Sequence, residues 1–167
     1  MNTLDMFNLT SRRALVTGSG QGIGFSLARG LAGAGAELIL NDIDEQRLSA
    51  AAEQLRAEGA VVHELGFDVT DSEKAAAAID DFESKTGAID ILVNNAGMQF
   101  RAPLEEFPVD RFDFMMRLNI NSAFYVGQAV ARHMIARGTG KIVNICSVQT
   151  ALARPSIAPY TASKGAV

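Results

Sequence analysis

Two kinds of apolar run alternate along the chain. Short ones, lying within Arg13–Val16, Glu37–Asn41, Ala60–Phe67, Ile89–Val93 and Lys141–Cys146, have the length and apolar content of strands buried on both faces. Between them lie longer stretches with apolar residues at helical spacing. The first runs from Gly24 to about Ala34 and is punctuated by Gly33 and Gly35. The second, Glu45 to Glu58, is capped by Asp44 and stopped by Gly59. Asp71 or Ser72 caps a third that reaches Lys85 and ends at Gly87, and Gly66 before it reads as a bulge. Helical sequence then continues from Pro108 to Arg137, bent near Asn119 and stopped by Gly138 and Gly140, and a last helix starts near Pro159. Strand and helix in strict alternation predict an α/β fold with a doubly wound parallel sheet. The expected strand order is 3-2-1-4-5, and the ligand crevice lies outside the C-terminal strand ends.

Composition narrows the function classes more than the fold. At 167 residues, 48% apolar and 20% charged, the chain is about one domain long and ordinary for a globular protein. A net charge of −4 argues against a nucleic-acid surface, which needs clustered Lys and Arg. The single cysteine, Cys146, has no internal disulfide partner, which fits a reducing cytoplasm. Neither a membrane-spanning apolar run nor a signal-peptide pattern occurs. Asp5 and the polar Asn8–Arg13 form a plain lead-in to the first strand. There is no internal repeat or linker, and the alanine clusters Ala50–Ala52 and Ala75–Ala78 sit in helical sequence.

Chemistry gathers at the strand ends. Thr17 to Gly24, TGSGQGIG, follows the first strand and opens the first helix, the context of a dinucleotide-binding turn. Glycine lets the backbone turn sharply and approach a pyrophosphate, while the helix beginning near Gly22 aims its free N–H groups at the phosphates. A glycine-rich turn can also be a mere joint. Four further strand ends carry polar groups or glycine: Asn41-Asp42, Asp68, Asn94-Asn95-Ala96-Gly97 and Ser147. Asp42 stands 18 residues after Gly24, where a carboxylate can accept bonds from the adenosine ribose and repel a 2′-phosphate, or can simply help cap the next helix. No Lys or Arg lies within Ser19–Gln21 or directly after Asp42, so NAD is expected over NADP, although Asn41 leaves NADP open. Tyr160 and Lys164 lie one helical turn apart and project from one face. A tyrosine that titrates near 10 serves as an acid or base at neutrality only if its anion is stabilised, as a nearby ammonium does.

Thr17-Gly18, three residues, then Gly22-Ile23-Gly24 resembles the TGxxxGxG turn of the short-chain dehydrogenase/reductase family, with a Rossmann-like fold. Ser147, 13 residues before Tyr160, matches that family's catalytic serine, and Asn94-Asn95-Ala96-Gly97 its NNAG segment. The resemblance implies catalysis by Asn119, Ser147, Tyr160 and Lys164, with Asn121 a competing candidate for the asparagine. It implies a cofactor site of Gly18, Ser19, Gln21, Gly22, Ile23, Gly24, Asp42, Asp68, Val69, Asn95, Ala96, Gly97, Tyr160 and Lys164. Asp68-Val69 would contact adenine, Asn119 would hold a relay water at a helix bend, and no metal is called for. The implied activity is hydride transfer between NAD(P) and a secondary alcohol or its ketone.

Asn41-Asp42-Ile43, Gly97–Arg101, Glu106-Phe107-Pro108 and Ile145–Gln149 resemble more closely the gluconate 5-dehydrogenase branch. The resemblance implies a sugar-acid substrate, gluconate or 5-ketogluconate, with Arg101 placed to bind a carboxylate and Ser147, Gln149 and Tyr160 near the reacting carbon. Arg154 is a weaker candidate, and Arg101 can also be a solvated surface residue. A 3-oxoacyl thioester reductase and a non-catalytic dinucleotide-binding fragment stand as alternatives. Family members continue through further strands, so residues 1–167 are expected to form one dinucleotide-binding domain incomplete at its C-terminus and poorly active by itself. The complete form is expected to be a cytoplasmic homotetramer or homodimer.

Overall fold

Neighbouring residues on each central strand belong to opposite cores. In the computed structural model, which describes residues 3–167, β1 is Arg13–Thr17, β2 Glu37–Asn41, β3 Val62–Glu64, β4 Ile91–Asn94 and β5 Lys141–Asn144. All pairs are parallel and the order is β3-β2-β1-β4-β5, as expected. Leu15, Ile39 and Leu92 point to one face, Val16, Leu38, Leu40 and Val93 to the other. That period-two split makes an unbroken apolar strand necessary, since each residue must be apolar whichever face it reaches.

Helices cover both faces. α1 (Gly22–Gly33) and α2 (Glu45–Ala57) bury Ala28, Leu48, Ala52 and Leu55 on one face. α3 (Ser72–Lys85) and α5 (Ser122–Arg137) bury Ile79, Phe82, Val126 and Val130 on the other. Asp44 and Asp71 cap α2 and α3 by accepting from the Arg47 and Lys74 N–H groups at 3.0 and 3.1 Å. Of the alternatives Asp71 and Ser72, the cap is therefore Asp71.

The bend near Asn119 is found where expected, while three strand bounds shift, the fifth ending at Asn144 and not at Cys146. The third strand spans only Val62–Glu64 of the expected Ala60–Phe67, because the Asn41 amide donates to the carbonyls of Leu65 and Phe67 at 3.0 Å and takes over the ladder. The fourth begins at Ile91, because Asp90 turns its carboxylate onto the Arg13 N–H at 3.0 Å. The bend in the long helical stretch is a π turn, Arg117–Asn121, between α4 (Val109–Met116) and α5. β5 is an edge strand with Ile142 and Val143 exposed, unlike the buried strands inside the sheet. α6 (Ala158–Ala166) follows it. No helix of the described residues is long and apolar enough to cross a membrane.

Candidate active site

The turn after β1 is held from below and left open above. Gly18 and Gly22 adopt φ of +63° and +60°, which L side chains rarely tolerate. The Ser19 N–H donates to the Asn41 carbonyl at 2.8 Å, and its buried hydroxyl accepts from the Asn41 N–H at 3.0 Å. Ser19 therefore faces the sheet. Asn95 braces the turn from β4: its amide donates to the carbonyls of Thr17 and Gly18 at 2.9 and 3.2 Å. A Cβ on Gly24 would stand 2.3 Å from the Gly18 oxygen, whereas one on Gly22 would meet nothing within 4 Å. Unlike α2 and α3, α1 has no side-chain cap and no acidic residue in its first turn. Its uncapped N–H groups, the open approach over Gly22 and the helix dipole suit a dinucleotide pyrophosphate.

Two adjoining cavities share Gln21 and Gly97. The first, about 250 Å³, is lined by Gly18, Asp42, Ile43, Arg47, Asp68, Val69 and Ala96, among others. Asp42 is buried there; its carboxylate accepts from the Gly20 N–H at 3.2 Å, the Asp44 N–H at 3.0 Å and the Arg47 guanidinium at 3.1 Å. Asp68 turns back on Thr70, accepting from its N–H and hydroxyl at 2.8 Å, while buried Val69 supplies apolar wall. These groups suit an adenosine.

The second cavity, about 340 Å³, is lined by Gly22, Ile23, Gly24, Asn95, Gln99, Ile145, Cys146, Tyr160 and Lys164. Lys164 is buried and donates to the Ile145 carbonyl at 2.7 Å. Burial pulls its pKa below the ordinary 10.5, and the nearby Cys146 pulls the other way. Ser147 caps a short 3₁₀ turn (Val148–Thr150), its hydroxyl accepting from the Gln149 N–H at 3.2 Å. An oxygen so engaged as acceptor keeps its own O–H free to donate.

The two asparagines separate. Asn121 is exposed and reaches Tyr125 at 3.4 Å. Asn119, buried at the π turn, accepts from the Met98 N–H at 2.8 Å and donates to the Met98 carbonyl at 3.0 Å and to Ser163 at 2.9 Å. Ser163 in turn donates to the Tyr160 carbonyl at 2.8 Å, so the π turn is tied to the helix that carries Tyr160 and Lys164. Gly97 lies between them: a Cβ there would come within 3.1 Å of the Asn119 oxygen and 3.5 Å of the Lys164 nitrogen.

Arg101 is exposed on the loop after β4; the preceding Gln99 lines the cleft, and the following Ala102 donates to the Ser156 carbonyl at 3.2 Å. Gln149 keeps a buried Oε1 unpartnered among the described residues, and Arg154 is exposed. Sequence reasoning missed Arg47, Ser163 and Gln99. The signal for Arg47 was there, three residues past the Asp44 cap, where a helix's first turn folds back over the preceding strand end.

A family model described as short chain dehydrogenase matches residues 12–167. The chain is 55% identical to gluconate 5-dehydrogenase of Gluconobacter oxydans over its whole length, covering 65% of that protein. It is 47% identical to 5-keto-D-gluconate 5-reductase of Escherichia coli over 98% of its own length and 64% of that protein's. Among solved structures, a gluconate 5-dehydrogenase from Burkholderia cenocepacia, in complex with NADP and tartrate, superposes with a TM-score of 0.95 at 57% identity. That match covers 99% of this chain and 65% of that one. The chain thus spans just under two thirds of the length of these relatives.

Proposed function

The chain belongs to the short-chain dehydrogenase family, and from that premise we propose that the complete protein is an NAD(P)-dependent oxidoreductase interconverting a secondary alcohol and its ketone on a sugar acid. The observation that carries the reading is the convergence of Tyr160 and Lys164 with the uncapped start of α1 in one cleft. A bound nicotinamide would supply or take up the hydride. Tyr160 exchanges the proton of the substrate oxygen. Lys164, its ammonium buried one turn along the same helix, would orient the nicotinamide ribose. Ser147 donates to the same oxygen as charge develops there. Asn119 holds the π turn against α6 and relays protons to Lys164 through a water beside Gly97. Tyr160→Phe is expected to retain dinucleotide binding and lose about 10²- to 10⁴-fold in turnover. Near-normal rates in that variant would end the mechanism.

The sugar-acid substrate is supported by the names of the relatives and by Arg101, which the Ala102–Ser156 bond holds beside the segment leading into α6. Losing one charge-assisted contact costs about 1.5–3 kcal/mol, roughly ten- to a hundredfold in kcat/KM. Arg101→Ala is therefore expected to impair gluconate oxidation by that factor while sparing an uncharged polyol. Equal losses on both would show that Arg101 does not read the carboxylate. Cofactor choice is less one-sided than Asp42 by itself suggests. The carboxylate favours NAD, but the Burkholderia relative was solved with NADP and Arg47 offsets Asp42's charge.

A further inference from the structure

Gln99 lines the reaction cleft beside Tyr160 and Lys164, yet the catalytic steps leave it unused. Its amide offers two N–H donors and a carbonyl acceptor, a set that matches neighbouring hydroxyl groups. The next residue, Phe100, is half-buried and ties the loop after β4 to α4. Its ring meets Phe107 edge-on at 5.4 Å, and the Arg111 guanidinium lies over it at 5.9 Å. Pro103 prepares that meeting. It opens a single 3₁₀ turn, Leu104–Glu106, in which the Glu106 N–H donates to the Pro103 carbonyl at 3.1 Å, and the chain folds back to place Phe107 on Phe100. The loop has a second anchor. Ser156 adopts a φ of +68°, uncommon for a residue with a side chain, and its carbonyl accepts from the Ala102 N–H at 3.2 Å. Residues 97–107 are thus fastened both to α4 and to the segment leading into α6.

We propose that Phe100 is a positioning residue for a sugar-acid substrate: by fastening the loop it presents Gln99 to the hydroxyl groups next to the reacting carbon. Consecutive Cα atoms stand about 3.8 Å apart, so a ring held by Phe107 and Arg111 carries Gln99 with it. Without the ring the loop samples other arrangements, and substrate binds only the fraction of molecules that keeps Gln99 in the cleft. Apparent affinity falls by that fraction. Once substrate is bound the loop is in place, and proton and hydride transfer proceed as before. The loss therefore falls on KM and spares kcat, as removal of uniform binding does. Dinucleotide binding is spared as well, since Asn95 and not this loop braces the glycine turn.

This assignment rests on the sugar-acid reading. Steady-state kinetics of the complete protein, with hydrogen exchange of the 167-residue chain, separate the two. In Phe100→Ala the KM for gluconate is expected to rise about five- to thirtyfold while kcat stays within about twofold. Phe100→Tyr, which keeps the ring, is expected to bring KM back to within about twofold of the wild type. In a Gln99→Ala background the Phe100→Ala change should raise KM by less than about threefold, because its effect runs through Gln99. Amide exchange over residues 98–107 should quicken in Phe100→Ala and stay unchanged elsewhere, which also verifies the fold. The assignment is overturned by an unchanged KM, by a loss confined to kcat, by a Phe100→Tyr as impaired as Phe100→Ala, by an equal effect with and without Gln99, or by unchanged exchange over 98–107. Each of these leaves the sugar-acid reading standing. A complete wild type that turns over neither gluconate nor 5-ketogluconate overturns both.

Discussion

Two glycines of α1 differ in what a methyl group would meet. Gly24 lies against backbone, with the Gly18 oxygen 2.3 Å from any Cβ, and backbone yields less than a flexible side chain. Gly30, mid-helix and exposed, would meet nothing within 4 Å. Gly24→Ala is expected to destabilise by about 1–3 kcal/mol and to weaken dinucleotide binding. Gly30→Ala is expected to stabilise by roughly 0.5–1 kcal/mol, since alanine loses less entropy in a helix. Urea unfolding of both variants reads the two signs, and destabilisation by Gly30→Ala would mean that the α1 surface is packed in a way the fold does not show. At this scale the sequence is most informative where spacing and a family resemblance coincide, as they do for Gly18 to Gly24, Tyr160 and Lys164. It is least informative where a side chain's direction matters. Ser19 belongs to the turn motif yet faces inward to Asn41, and Arg47 joins Asp42 only once α2 has folded back.

Among the elements, α5 is tied to α3 near its C-terminal end by His133, 2.6 Å from Asp80, and by the Arg137 guanidinium. Arg137 donates to Glu83 of α3 at 2.8 Å and to the Ile89 carbonyl at 2.6 Å, while Glu83 accepts from the Ile89 N–H at 2.9 Å. The Glu83 side chain is 7% exposed, so removing the arginine leaves a buried charge with one backbone partner. Arg137→Met keeps much of the apolar stem and is expected to cost about 2–3 kcal/mol with little change in the urea m-value. A loss below about 0.5 kcal/mol would class the contact with ordinary surface pairs. The type and order of the strands and α-helices were legible, because apolar runs mark strands and capped periodicity marks helices, whereas the 3₁₀ turns Thr3–Phe7 and Leu104–Glu106 were not. Boundaries slipped where long-range side chains ended a ladder, as Asn41 does at β3. The π turn could be foreseen only as a bend, since nothing local in Arg117–Asn121 announces a wider turn; Asn119's bonds to Met98 and Ser163 accompany it.

For the whole molecule, the adenosine cavity takes its walls from the segments after β1, β2, β3 and β4 and from α4 and the π turn beyond it. A ligand there contacts segments far apart in sequence that meet only when the sheet is assembled, so its binding free energy should appear as stability of the whole fold. For one site and no affinity for the unfolded chain, ligand at a hundred times Kd adds about 2.7 kcal/mol. In a chain of this size each kcal/mol raises Tm by roughly 2–4 °C, so saturating NADP is expected to raise it by roughly 5–10 °C. The rise should grow with the logarithm of ligand concentration, and a single unfolding transition should persist. 5′-AMP, which lacks the nicotinamide half and offers fewer contacts, should give a smaller shift at equal concentration. A calorimetric scan with two transitions, only the lower of them moved by NADP, would mean that the first strands and the segment bearing Tyr160 and Lys164 unfold separately. The cleft would then be a junction between two cooperative units, and the Asn119–Ser163 tie would not couple α6 to the sheet.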